Sequence, residues 1–373
     1  MADRIPSTHA GSLPRPGDLA DMIWARLDGQ VVDEGVLEAR IDSAVREVVA
    51  RQREAGIDFV SDGEMSKTGF STYVNERFSG FGGRSEFQAD DVAEFPDLAM
   101  RLFATPAMAH LVFANCVGPV ELSDRGAVHR DIERLRGALG GDLSGAFMGA
   151  ISPGQIAFNY PDQYYGSHER YLAALGEALS YEYRAIADAG LSLQIDSPDV
   201  AMAAHCRSVG SSVGDWHHHL PLAIEALNDA LEGIPAERVR FHVCWGNYGG
   251  PHHKDVPLAE IIDHVLRVDA GTIYVEGGNP RHEHEYRVFE NVELGDKKVI
   301  LGTIDTKSNF VEHPQVVADR LVRLGRIIGK DRLIAGTDCG FDTFIRFSLV
   351  DPGVAWLKLK ALSEGAEIAS AEL

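Results

Sequence analysis

The amino-acid sequence predicts an α/β fold, and within that class a (β/α)8 TIM barrel. Short β-branched apolar runs recur along the 373 residues, and segments with helical periodicity separate them. Strands that alternate with helices form parallel sheets, and eight such runs match the eight strands of a closed barrel. A doubly wound open sheet is the alternative, but no Gly-x-Gly-x-x-Gly motif follows the first run.

The eight predicted strands are apolar runs that each end in a polar or glycine-containing loop. In order they are residues 7–12 (STHAGS), 58–64 (DFVSDGE), 146–152 (AFMGAIS), 193–198 (LQIDSP), 239–246 (VRFHVCWG), 272–278 (TIYVEGG), 299–305 (VILGTID) and 332–340 (RLIAGTDCG). Amphipathic helices are predicted between them, at residues 35–56, 169–190, 215–233 and 313–329. Glycines close these stretches, as they often do at helix C-termini.

Residues 65–145 interrupt this alternation of strands and helices. The segment holds a glycine-containing stretch, a short β-like run at 116–122 and a polar stretch, and it separates predicted strands two and three. An insertion of this length predicts a lid over the active site or a contact between the subunits of a homo-oligomer. No linker divides the rest of the chain, so residues 1–373 are predicted to form a single catalytic domain.

Composition excludes several classes of function. Apolar residues make up 45% of the chain and charged residues 24%, as in ordinary globular proteins. The formal charge of −21 argues against a nucleic-acid partner, because such binding depends on lysine and arginine. No apolar stretch is long enough for a membrane span, and the N-terminus lacks an apolar signal segment. We therefore expect a cytoplasmic protein without a membrane partner. The four scattered cysteines do not form a disulfide framework.

Ionisable side chains concentrate at the carboxyl ends of the predicted strands. They are Asp62 and Glu64 (strand two), Asp196 (strand four), His242 and Cys244 (strand five), Glu276 (strand six), Asp305 (strand seven), and Asp338 and Cys339 (strand eight). Because these ends meet at one mouth of a barrel, the side chains are expected to converge there. Imidazole, thiolate and carboxylate groups are typical zinc ligands, so these residues predict a zinc site. The alternative is that His242 and Cys244 are packed core residues.

The same segments resemble the catalytic C-terminal barrel of the cobalamin-independent methionine synthase family. STHAGSLPRP resembles the Thr-x-Gly-Ser-x-Pro start of that family, SDGEMSK its Gly-Glu segment, and LQIDSPD its fourth strand. FHVCWGN, IYVEGGNPR and AGTDCGF resemble its three zinc-binding segments. The resemblance runs in order from residue 7 to about residue 344 and implies Zn²⁺ as the cofactor. The implied ligands are His242, Cys244, Glu276 and Cys339.

The resemblance also implies a small-molecule thiol and an alkyl donor as substrates. Glu64 and Asp196 would hold the amino group of the thiol, and Ser12 would meet its carboxylate. The chain departs from the family after strand seven, where Lys307 replaces a histidine two residues beyond Asp305. Asp305 and Lys307 are therefore predicted to act in catalysis, with Lys307 binding an anion or protonating the leaving group. The tryptophan that stacks on folate in the family is missing after strand three, which disfavours a folate donor.

Several functions are consistent with these residues. The favoured one is methyl transfer to homocysteine or an analogue, with zinc activating the thiol. A second is epoxyalkane:coenzyme M transferase, for which Arg15 and Lys307 would suit a sulfonate and an alkoxide. A third is a metal-free lyase or decarboxylase that uses the strand-end carboxylates as acid and base. A non-catalytic binding protein is the remaining alternative.

Overall fold

The computed structural model describes residues 4–104, 113–209 and 215–373. The elements of its first part are α1 (Gly17–Leu27), α2 (Glu34–Glu54), α3 (Val74–Arg77), β1 (Phe78–Ser85), β2 (Phe87–Ala89), α4 (Asp90–Ala93), α5 (Pro96–Phe103), β3 (Phe113–Leu122) and α6 (Arg125–Ala138). This part contains most of the insertion predicted at 65–145, of which residues 105–112 lie outside the described residues.

The second part alternates strands with helices. Its elements are β4 (Phe147–Ile151), α7 (Pro153–Asn159), α8 (His168–Asp188), β5 (Ser192–Asp196), α9 (Asp199–Met202), β6 (Cys206–Ser208), α10 (Trp216–Ala230), β7 (Val239–His242), α11 (Leu258–Leu266), β8 (Thr272–Val275), β9 (Lys298–Ile304), α12 (Pro314–Ile328), β10 (Leu333–Thr337) and α13 (Pro352–Glu372). All four predicted long helices are present as α2, α8, α10 and α12, within three residues of their predicted ends. The α/β class is therefore confirmed.

The central sheet has six parallel strands in the order β10-β9-β8-β7-β5-β4 within the described ranges. Each pair of neighbours is in parallel register, for example Ile195 beside Phe241 and Tyr274 beside Ile300. Nearly every residue of these strands is buried, as expected for a parallel sheet covered by helices. Since the strands are parallel, the loops that follow them lie along one edge, and that edge carries the candidate site.

The first two predicted strands do not form regular ladders. Ser7 makes one parallel bridge to Ala335 of β10, and Val60 makes one to Ala146 beside β4. Side chains take up some of their backbone amides, although the amides of Thr8 and Val60 still donate to the carbonyls of Ala335 and Gly145. The amide of Ser7 donates to Asp58 Oδ2 at 2.8 Å, and that of Ser61 donates to Gln52 Oε1 at 2.9 Å. The prediction of eight strands is thus corrected to six regular strands and two isolated bridges.

The insertion forms its own small β-structure. Strand β1 pairs antiparallel with β3, and β2 pairs antiparallel with β6, which lies between β5 and β7 in sequence. Gly80 has a φ of 91°, and a Cβ there would clash with the backbone of Pro119, so this close crossing requires glycine. The β-like run predicted at 116–122 is confirmed as part of β3. In the described part of the chain, no helix has the length and apolar character needed to cross a membrane.

Candidate active site

The carboxyl ends of the central strands surround a cavity of about 110 Å³. Six of the ten residues predicted for the site contribute to its lining: Ser12, Glu64, Asp196, His242, Cys244 and Cys339. Asp196 and His242 are the last residues of β5 and β7, and Cys244 and Cys339 each stand two residues beyond a strand end. Their convergence follows from the parallel order of the sheet.

His242, Cys244 and Cys339 form a compact group that could hold a metal ion. One ligand atom from each lies within 4.8 Å of the other two, and all three side chains are buried. Cys244 and Cys339 have their sulfur atoms 3.4 Å apart, with free thiols rather than a disulfide. An imidazole and two thiols at this spacing are donors that zinc accepts.

The hydrogen bonds around this group prepare it for a cation. Donation from Cys244 lowers the pKa of the Cys339 thiol, while the same bond and burial raise the pKa of Cys244. His242 Nδ1 lies 2.7 Å from Asp196 Oδ1. Burial disfavours a charged ring, but this bond and the charges of Asp196 and Cys339 together outweigh it and raise the pKa of His242. A carboxylate behind the imidazole also fixes the ring orientation, as in many zinc sites.

Glu276, the fourth predicted ligand, is not part of this compact group. Its Oε1 accepts the backbone N–H of Trp245 at 2.9 Å, and its Oε2 accepts from Lys307 Nζ at 3.0 Å and Asn279 Nδ2 at 2.7 Å. Although burial opposes ionisation, the charges of Lys307, His282 and His252 and the hydrogen bond from Trp245 together lower the pKa of Glu276 to about 2. The structure therefore places three predicted ligands together and holds the fourth beside an ammonium group.

Asp338 and Asn279 support this arrangement from behind. Asp338 Oδ1 accepts the backbone N–H groups of Gly277 and Gly278 at 3.1 and 2.7 Å, and its Oδ2 accepts from Asn279 at 2.8 Å. Asn279 thereby connects Asp338 to Glu276, a role that the sequence did not reveal. The only available signal was its position directly after the Glu276-Gly277-Gly278 segment.

Glu64 and Asp196 are the acidic side chains of the cavity wall. Both carboxylates lie close to Gly149. A Cβ atom on Gly149 would be 3.4 Å from Glu64 Oε1 and 3.1 Å from Asp196 Oδ2. Oε2 of Glu64 is buried and accepts no hydrogen bond from the described residues. Burial raises the pKa of Glu64 to about 7, with the charge of Lys67 opposing and that of Asp196 adding to the effect. A cationic group would satisfy this carboxylate.

The remaining residues predicted for the site have different surroundings. Ser12 lies against Gly340, where a Cβ would overlap its hydroxyl, so the two loops are in close contact beside Cys339. Arg15 is buried and its guanidinium is already engaged, by the Asp342 carboxylate at 2.9 Å and by the carbonyls of Glu64 and Lys67. Asp305 accepts the backbone N–H of Lys307 at 2.9 Å. Arg15, Asp305 and Lys307 are not among the cavity-lining residues.

Phenylalanine side chains form the part of the cavity wall that sequence reasoning missed. We call the following set the phenylalanine wall: Phe70, Phe87, Phe113, Phe158 and Phe344. They come from the insertion, from α7 and from the loop after β10. In the sequence these residues look like ordinary core residues, and only the tertiary structure shows that they enclose a cavity.

A second group of buried side chains that could act as metal ligands consists of Asp91, His205 and Cys206. The hydroxyl of Tyr248 donates to Asp91 at 2.8 Å, lies 3.4 Å from His205 Nε2 and hydrogen-bonds to Cys206. It therefore occupies the space between the three side chains. We interpret the group as a hydrogen-bond network that connects α4 and β6 to the loop after β7.

Comparison with known proteins identifies the family. The catalytic-domain model of the cobalamin-independent synthases matches residues 156–348, which is more than half of the chain. The chain belongs to this family. The match begins in α7 and includes His242, Cys244, Glu276 and Cys339, so the compact group lies within the part of the sequence that defines the family.

Proteins with two different activities are similar to this chain over nearly its whole length. A methionine synthase from Thermococcus kodakarensis is 27% identical over 372 residues, covering 99% of this chain and 94% of the relative. A 2-hydroxypropyl-CoM lyase from Xanthobacter autotrophicus is also 27% identical, over 402 residues, covering 99% and 96%. Overall identity therefore supports membership in the family and does not distinguish between the two activities.

The fold is also that of solved family members. A B12-independent methionine synthase from Shewanella sp. W3-18-1, in complex with selenomethionine, superposes with a TM-score of 0.74 at 24% identity, covering 99% of this chain and 98% of that one. A putative B12-independent methionine synthase from Listeria monocytogenes gives a TM-score of 0.68 at 19% identity, covering 98% of each chain.

Proposed function

We propose that this protein is a zinc-dependent alkyltransferase that transfers a methyl group to homocysteine or a close analogue. One observation carries the choice of substrate. Glu64, whose Oε2 accepts no hydrogen bond from the described residues, lines the same cavity as Asp196 and the His242, Cys244 and Cys339 group. A substrate that carries both a thiol and an ammonium group could meet the metal and the two carboxylates at once.

The residues of the site fit zinc. His242, Cys244 and Cys339 would hold the ion, with Glu276 as the fourth and most replaceable ligand because a carboxylate binds zinc less tightly than a thiolate does. When bound, zinc would lower the pKa of the substrate thiol and orient its sulfur for attack on carbon. The hydrogen bond from Cys244 to Cys339 already favours a thiolate at one ligand position.

The protein side chains would then bind and orient the thiol substrate. Glu64 and Asp196 accept hydrogen bonds from its ammonium group, and this charge pairing restores ionised Glu64 in a buried environment. Ser12, which lines the cavity beside the Cys339 loop, would donate to its carboxylate. Lys307 keeps the Glu276 carboxylate paired whenever that carboxylate is not a ligand, and Asp305 holds the Lys307 backbone in place.

The positions of Arg15 and Lys307 support homocysteine over coenzyme M as the thiol. A sulfonate needs a free cation in the cavity, whereas the Arg15 guanidinium is bonded to Asp342 and the Lys307 ammonium to Glu276. The acidic pair would moreover repel an anionic substrate. The 2-hydroxypropyl-CoM lyase activity of one relative is therefore the second candidate, and a metal-free lyase leaves the two adjacent thiols without a function.

We also propose that the sheet closes as a (β/α)8 barrel in a single domain. The bridges of Ser7 to Ala335 and of Val60 to Ala146 extend the two edges of the sheet. The carbonyl of Ser7 accepts the backbone N–H groups of Asp58 and Phe59 at 3.2 and 3.0 Å, which connects these two segments to each other. Part of the insertion at 65–145 would then act as a lid, because it supplies Phe87 and Phe113 to the cavity wall.

The experiment is a measurement of zinc content followed by thiol titrations of the zinc-loaded protein. We expect about one zinc per chain and an additional sulfur in the X-ray absorption spectrum on adding homocysteine, with no such change on adding coenzyme M. Glu64→Gln should weaken homocysteine binding by about 10- to 100-fold, because a charge-assisted bond to the ammonium group is lost. A zinc-free protein, or equal binding of both thiols, would refute the proposal.

A further inference from the structure

Glu64 has a backbone conformation that a glutamate rarely adopts. Its φ is 61°, in the left-handed region, and the φ of Gly63 before it is 63°. A residue with a Cβ is strained there and keeps this conformation only where its surroundings hold it. The backbone N–H of Glu64 is held by Asp62 Oδ1 at 3.0 Å. Because the backbone angles fix the direction of the Cα–Cβ bond, the contacts that hold this backbone also direct the carboxylate.

The guanidinium of Arg15 holds the turn that begins at Glu64. The turn covers residues 64–67 and is closed by the backbone N–H of Lys67, which donates to the carbonyl of Glu64 at 3.1 Å. Arg15 Nη2 donates to the carbonyls of both end residues, at 2.9 Å for Glu64 and at 3.0 Å for Lys67. A single side-chain nitrogen therefore connects the first and the last residue of the turn.

Arg15 is itself held by Asp342. Its Nη1 donates to the backbone carbonyl of Asp342 at 2.7 Å and lies 2.9 Å from the carboxylate, and both side chains are buried. The backbone N–H of Arg15 donates to the same carboxylate at 3.2 Å. A planar guanidinium has several donors in fixed directions, so it can bond to a carboxylate and to the carbonyls of the turn at once, which a lysine ammonium group does less well.

The far end of the turn is attached to the cavity wall. The ammonium group of Lys67 donates to the carbonyl of Gly149 at 2.7 Å and lies 4.5 Å from the centre of the Tyr73 ring. Gly149 is also the residue beside which the carboxylates of Glu64 and Asp196 lie. The turn is thus fixed by Arg15 on one side and by the third predicted strand on the other.

We infer that Arg15 is a positioning residue that directs the Glu64 carboxylate toward the ammonium group of the thiol substrate. The inference rests on the proposed function, since it concerns the same substrate. Arg15 does not line the cavity, and it acts through the backbone of Glu64. Without its bonds to the turn, the strain at Glu64 would relax and the carboxylate would move away from the ammonium group.

The test is a double-mutant cycle on zinc-loaded protein, with homocysteine affinity measured by titration calorimetry. Arg15→Lys keeps a positive charge beside Asp342 but loses the connection across the turn. We expect it to weaken homocysteine binding by about tenfold in the parent protein and by less than about twofold in Glu64→Gln, where the charge that it positions is already gone. Arg320→Lys is the matched control and should bind as the parent does, because Arg320 also donates to a backbone carbonyl and pairs with Glu283 but does not line the cavity.

A thiol without an amino group distinguishes positioning from a general loss of structure. 4-Mercaptobutanoate has the thiol and the carboxylate of homocysteine but no ammonium group, so Arg15→Lys should bind it as tightly as the parent protein does. Asp342→Asn removes the carboxylate that orients the guanidinium and should also weaken homocysteine binding. This second variant decides the question if circular dichroism shows that Arg15→Lys is not folded.

The possible results separate this inference from the proposed function. Equal losses of homocysteine affinity in the parent and Glu64→Gln backgrounds, or equal losses for the two thiols, would overturn the inference, because Arg15 would then not act through Glu64. Unchanged homocysteine affinity in both Arg15→Lys and Asp342→Asn would also overturn it and leave the proposed function intact. If the parent protein does not bind homocysteine, both fail.

Discussion

Lys307 donates a hydrogen bond to Glu276 at 3.0 Å, and both side chains are almost completely buried. Burial by itself would favour the uncharged forms, but each charge stabilises the other. Lys307, together with His282 and His252, therefore lowers the pKa of Glu276 to about 2, and Glu276, together with Asp338, raises that of Lys307. Glu276, which the family resemblance assigns to the metal, is thus also paired with Lys307.

Removing Lys307 should destabilise the metal-free protein through the carboxylate that it leaves behind. We expect Lys307→Met to lower the free energy of unfolding at pH 7 by about 3 kcal/mol, because an unpaired buried charge costs that much. Glu276→Gln in the same chain should recover most of the loss. Chemical denaturation of the two variants measures this coupling. Equal losses in the single and double variants would show that packing, rather than charge, is responsible.

Replacing Cys339 should remove the metal without unfolding the protein. A serine hydroxyl is a poor zinc ligand but occupies nearly the same volume as a thiol, so Cys339→Ser should lose zinc and retain its circular dichroism spectrum. Cys116→Ser is the matched control, because Cys116 is also buried and lies outside the compact group. Full zinc occupancy in Cys339→Ser would contradict the assignment of this residue as a ligand.

Glu64 should make the stability of the metal-free protein depend on pH. Its pKa is raised to about 7 in the folded protein from 4.5, so the folded state retains a proton that the unfolded state releases between these values. Stability contributed by this proton is complete below pH 4.5 and is lost as the pH rises to 7. Glu64→Gln should therefore be more stable than the parent protein at pH 8, by on the order of 2–3 kcal/mol, and nearly equal to it at pH 4. Equal stabilities at pH 8 would argue against this burial effect.

Gly149 should strengthen thiol binding because of the space it leaves. In Gly149→Ala the new methyl group would meet both Asp196 and Glu64 and displace the acidic pair. We expect homocysteine affinity to fall on the order of tenfold through this displacement. Gly137→Ala, where a Cβ would meet nothing within 4 Å, should leave the affinity unchanged. Titration calorimetry compares the two, and an unaffected Gly149→Ala would mean that the pair does not position the substrate.

The periodicity of the sequence was enough to predict six of the strands and the four long helices. Buried parallel strands are continuous apolar runs, and amphipathic helices repeat with helical periodicity, so both signals are local. The first two strands were predicted wrongly as regular ladder strands for an equally local reason. Their β-like residues are present, but the side chains of Asp58 and Gln52 accept the hydrogen bonds of the Ser7 and Ser61 amides.

The candidate site could likewise be predicted only in part from the sequence. Chain order and the polarity of a parallel sheet were sufficient to bring Glu64, Asp196, His242, Cys244 and Cys339 to one edge, because every strand delivers its last residues there. Only the tertiary structure decided that Arg15 and Lys307 are already paired and that Glu276 lies outside the compact group. It also decided that phenylalanines from distant segments enclose the cavity. Ion-pair partners and the walls of a cavity are formed by side chains that are far apart in sequence. Such contacts leave no periodic or local pattern in the chain.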